Sequence, residues 1–118
     1  MHTITTWAEL ARYLREPIHP DLKCLLETRR DQLADYGDLT ELGTFNVVQP
    51  GDTLEAIETA LHFPLNMDGA PTWEWVERHG AFFEAPIILS DDGFGHVLII
   101  QDTEGVDPTL LALCREHA

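Results

Sequence analysis

Two short apolar blocks constrain this chain more than any other feature. Ile87-Ile88-Leu89 and Val97-Leu98-Ile99-Ile100 have no polar residue at any position. A strand sends successive side chains to opposite faces, so a run that is apolar throughout must be covered on both sides or lie at the centre of its sheet. Ser90-Asp91-Asp92-Gly93-Phe94-Gly95 separates the two blocks and supplies the glycines and aspartates that turns require. The pattern predicts strands over 83–89 and 96–101 joined by this turn. Pro86 has no amide donor, which places its strand's start at an edge or a bulge.

Helices are predicted on either side. Thr6 and Glu9 form a capping-box pair ahead of the stripe Trp7, Leu10, Ala11 and Leu14, giving a helix over 6–15. Pro20 and Asp21 open a second helix over 20–36. Its apolar face holds Ile18, Leu22, Leu25, Leu26, Leu33 and Tyr36. A short strand over 44–49 meets the turn Pro50-Gly51. Asp52 then caps a third helix with Leu54, Ile57 and Leu61 facing inward. Residues 72–79 fit either a short helix or a strand. Asp107-Pro108 is a cap followed by proline at the first helical position, and opens a last helix with Leu110, Leu113 and Cys114 inside. The expected fold is a single α+β domain over residues 1–118, a small three- to four-stranded antiparallel sheet packed with N- and C-terminal helices.

Charge is as uneven as hydropathy. The 118 residues include 21 Asp and Glu against 7 Lys and Arg, a formal net charge of −14. Arg12, Arg15, Lys23, Arg29 and Arg30 all lie in the first thirty positions. From Asp31 to Cys114, Arg78 is the lone basic residue. Such a surface repels nucleic-acid phosphates and anionic lipids and draws in basic proteins. A basic protein is therefore the expected partner, homo-oligomer formation stays open, and neither direct nucleic-acid binding nor membrane association is expected. The longest apolar run is too short to span a bilayer and the opening residues lack a secretory pattern, which suggests the cytoplasm. Cys24 and Cys114 read as free thiols in that compartment.

No motif names a reaction. The sole serine, Ser90, lies outside any nucleophile-elbow pattern, and none of the six histidines has metalloprotease spacing. No cofactor is expected. Asp91, Asp92 and His96, around the glycine-rich turn, could gather a divalent cation or form an enzymatic site in space, set against a plain hairpin turn. His79 and His96 could also meet acids in space. Arg29 projects onto the apolar stripe of the second helix. It must reach water, pair with an acid from the sheet, or line a pocket for an anionic group. Glu27, Asp31, Asp35 and Asp38 fall on the opposite helix face and could imitate a row of phosphates. Trp73 and Trp75 belong to an aromatic segment that is either core or contact surface.

These features suggest a small acidic, non-enzymatic interaction or regulatory module of inhibitor or immunity type that binds a basic partner. A DNA-mimic inhibitor is one alternative. An enzyme or metal-dependent site at the 90–96 loop is another.

Overall fold

The computed structural model describes residues 1–61, 76–87 and 95–118. Among them five strands form one mixed sheet: β1 (His2–Ile4), β2 (Thr44–Val47), β3 (Glu77–His79), β4 (Phe82–Ile87) and β5 (His96–Gln101). Their spatial order is β1-β2-β5-β4-β3. The helices are α1 (Trp7–Tyr13), α2 (Pro20–Leu33), α3 (Leu39–Leu42), α4 (Leu54–Leu61) and α5 (Pro108–His117). None of these is long and apolar enough to cross a membrane.

β5 occupies the centre of the sheet, where a strand that is apolar on both faces belongs. Val97 and Ile99 enter a core with Leu10, Leu22, Leu26 and Phe45, beneath α1 and α2. Leu98 and Ile100 enter a second core with Ile57, Leu61, Leu110 and Cys114, beneath α4 and α5. The α+β class holds, with helices covering both faces of the sheet.

Two expectations about the sheet need correction. It has five strands rather than three or four, because His2-Thr3-Ile4 adds an edge strand antiparallel to β2. Three residues are too few to show alternation. The sheet is also not all antiparallel: β4 runs antiparallel to β5, but β2 runs parallel to it, with Phe45 opposite Val97. A connection long enough to carry α4, β3 and β4 lets the chain return in the same direction. Pro86 lies within β4, where β3 pairs only as far as Glu84, so its missing amide leaves no bond to β3 unmade.

Local chemistry sets the helix ends. The Glu9 amide donates to Thr6 Oγ1 at 3.1 Å, while the Glu9 carboxylate reaches the Thr5 amide at 3.0 Å. The capping box is thus shifted by one residue on its return arm. Asp52 does not cap α4: its Oδ2 accepts from the Gln49 amide at 2.8 Å, and Thr53 Oγ1 accepts from Ala56 at 3.1 Å.

The second helix also departs from expectation. It is α-helical only to Leu33 and tightens to a 3-10 turn over Ala34–Tyr36. A 3-10 turn advances each residue about 20° further than an α-helix, roughly 60° over three residues. Tyr36, expected on the apolar face, is swung out and is 76% exposed.

Asp107 holds two helices at once. One carboxylate oxygen accepts from Thr109 of α5 at 2.8 Å and the other from Leu54 of α4 at 2.8 Å. The Leu54 amide, above all, holds this carboxyl below the usual carboxylate range. Its stabilisation is complete above the unfolded value of about 4 and is lost as pH falls through the lower folded value. Asp107→Ala should therefore lose about 1–2 kcal/mol at neutral pH, with the gap to the parent narrowing in acid. Urea denaturation at both pH values measures this, and equal stabilities at neutral pH would refute the double cap.

Candidate functional site

The most chemically distinctive cluster forms where α2 crosses the β3–β4 hairpin. Period-two alternation and the register Glu77 opposite Glu84 and His79 opposite Phe82 place Glu77, His79 and Glu84 on the sheet face that α2 covers. Arg78 opposite Phe83 points the other way and sets its guanidinium 4.4 Å from the Phe83 ring centre. Arg78 also donates to Asp102 at 2.6 Å, and Arg115 pairs with the same carboxylate. These bonds hold Asp102 below the usual carboxylate range.

The hairpin is locked to the start of α2. Asp21 Oδ2 accepts from the Ala81 amide at 2.9 Å. Gly80 has φ +61°, and a Cβ there would collide with the Asp21 carboxylate. Glycine is required at this position for both conformation and space. Within the stretch 72–79, where either a short helix or a strand was expected, Glu77–His79 is a strand, and residues 72–75 lie outside the described residues.

From α2, Arg29 reaches down to the sheet. Its Nε donates to Glu84 Oε2 at 2.6 Å and its Nη2 to Glu84 Oε1, a two-point pairing. Glu84 is one of two buried polar residues among those described, and 5% exposed. The hydrogen bond from Arg29 to Glu84 raises the guanidinium pKa above its ordinary value, so the charge is permanent. Arg29 Nη1 donates to Gln32 at 2.7 Å, and Glu77 lies 3.9 Å from Nη2.

His79 completes the group. Its Nε2 lies 3.4 Å from Glu84 and 3.5 Å from Glu77. That nitrogen is sealed from solvent and makes no hydrogen bond. A pocket of about 480 Å³ opens beside the group, lined by Cys24, Thr28, Arg29, Glu77 and His79 among others.

The residues singled out from sequence are distributed as follows. Two of them are at this cluster: Arg29 pairs with a sheet acid and lines the pocket, and His79, expected to meet acids in space, faces Glu77 and Glu84. Asp31 is exposed and pairs with Arg30 at 3.2 Å. Asp35 lies in the 3-10 turn and Asp38 in the extended residue before α3. The acidic face is therefore not one straight helical row beyond Asp31. Trp73, Trp75, Asp91 and Asp92 lie outside the described residues.

His96 opens β5, half-buried on the α4–α5 side. Its Nδ1 meets Thr44 Oγ1, which accepts from Asn46 Nδ2 at 2.9 Å. Burial lowers the His96 pKa, so its ring is neutral at pH 7. Cys24, read as a free thiol, is exposed and lines the pocket. Cys114 is buried, and burial pushes its thiol up to about 12, which makes it inert as a nucleophile.

Sequence reasoning missed Glu77 and Glu84. The signal for Glu84 was present: one acid inside Phe82-Phe83-Glu84-Ala85-Pro86-Ile87. A charge inside an apolar strand implies a partner, but not which one. No family model, curated protein or solved structure matches the chain.

Proposed function

We infer that this protein is an interaction module whose acidic surface receives a basic protein partner, with Tyr36 as the central contact. The observation that carries this reading is the exposure of Tyr36 between Asp35 and Asp38, which are themselves exposed, with exposed Glu41 nearby in α3. Tyrosine concentrates binding energy at interfaces because it offers large area for little conformational entropy. The segment is pre-ordered: Trp7 Nε1 donates to the Gly37 carbonyl at 2.9 Å. Asp38 precedes α3 but makes no side-chain capping bond, so its carboxylate is not committed to the helix. An arginine of the partner would stack on the phenol ring while the carboxylates meet its charge.

The test is affinity capture at about 20 mM and about 200 mM salt, where screening separates exposed charge contacts from apolar ones. A partner retained at low salt should be released at the higher. Tyr36→Ala should reduce capture at least about tenfold, the loss of one contact of about 1.4 kcal/mol. Asp35→Asn with Asp38→Asn should flatten the salt dependence. A partner bound equally by the Tyr36 variant, or indifferent to salt, would overturn this reading.

A further inference from the structure

We propose that Glu77, His79 and Glu84 form a binding site for a divalent transition-metal ion, with Zn²⁺ as its natural occupant. The three side chains bring two carboxylates and one imidazole to a point where their donor atoms all lie within 4.8 Å of one another. Zinc bonds to nitrogen and oxygen at roughly 2.0–2.2 Å, so tetrahedral donors stand about 3.3–3.5 Å apart. The His79 Nε2 separations of 3.4 Å to Glu84 and 3.5 Å to Glu77 match two edges of that tetrahedron. The third edge joins the carboxylates. The Glu77 side chain is 65% exposed and free to close it.

The state of His79 Nε2 supports the same reading. A buried ring nitrogen without a hydrogen bond is costly, and native proteins rarely leave one so. It faces two carboxylates at 3.4 and 3.5 Å. A cation held by the three groups would give that orphaned atom a partner. The Arg29 guanidinium does not do this, because it bonds Glu84 and Gln32 and leaves His79 Nε2 unbonded.

The surroundings suit a metal as well as the ligands do. Glu84 is oriented by Arg29, the kind of supporting hydrogen bond that ligating carboxylates receive. A carboxylate offers about four lone-pair positions, so Glu84 can serve the guanidinium and a metal together. The imidazole selects zinc over calcium and magnesium, which require six or more oxygen donors in all. The adjoining pocket leaves the fourth position open to water or to a small ligand. The site uses no residue of the Tyr36 segment.

The experiment titrates the full chain with Zn²⁺ in competition with a chromophoric chelator and follows the melting temperature with and without the ion. One Zn²⁺ per chain and a metal-dependent rise in melting temperature are expected. His79→Gln should weaken binding at least about tenfold and abolish the rise. His79 and Glu77 are both partly exposed, so their variants should fold, which circular dichroism checks. Glu77→Gln should weaken binding without changing stability in the absence of metal, and His117→Gln should bind as the parent does. Unchanged affinity in His79→Gln, or no zinc-dependent stabilisation of the parent, would overturn the proposal.

Discussion

Replacing Arg29 by methionine is expected to lower stability by about 3 kcal/mol at neutral pH. Removing one partner of a buried ion pair leaves the other without compensation, and here the survivor is Glu84 of β4, 5% exposed. The estimate sits at the low end of the range for such losses because the Arg29 side chain keeps 25% of its surface in water. Methionine keeps much of the apolar stem of Arg29, so the loss reports on charge rather than volume. The double variant Arg29→Met with Glu84→Leu should recover most of the loss and could exceed the parent, since a well-packed apolar pair often equals a buried ion pair. Urea denaturation of the parent, both single variants and the double variant closes the cycle. An Arg29→Met protein as stable as the parent would mean that Glu84 is well solvated despite its burial.

Leu98→Ala and Ile99→Ala should each lose about 3 kcal/mol, within the usual span for a large aliphatic side chain removed from a core. Both residues are fully buried neighbours on β5, yet they serve different cores. Leu98 supports α4 and α5; Ile99 supports α1 and α2. A sheet with one wet face would tolerate one of these two changes. Here neither should be tolerated, and the effects should be close to additive, because the sheet separates the two cavities. Denaturant midpoints with unchanged slopes measure both. Tolerance of either single change would contradict the arrangement of helices on both faces.

What was legible in sequence follows from how far each interaction reaches along the chain. The Thr6–Glu9 cap spans three residues, and Asp107-Pro108 opens α5 within two. The consecutive apolar positions of β5 implied cover on two sides, and the cover is there. Arg29 announced itself as a charge on a greasy stripe, which required a partner without naming it. The partner is Glu84, 55 positions away. His79 is a similar case: with His96 it stood out as able to meet acids in space, and the acids it meets are Glu77 and Glu84.

The sequence alone determined α1, most of α2, α4 and α5 and strands β2, β4 and β5, which of their faces turn inward and where most caps fall, because propensity, periodicity and capping act over a few residues. Tertiary structure decided the rest. It added β1, turned β2 parallel to β5, and tightened the end of α2 so that Tyr36 faces water. It also gathered Arg29, Glu77, His79 and Glu84 at one point. These outcomes depend on strand register and on one helix crossing one hairpin, and such contacts leave no periodic trace in the residues that make them.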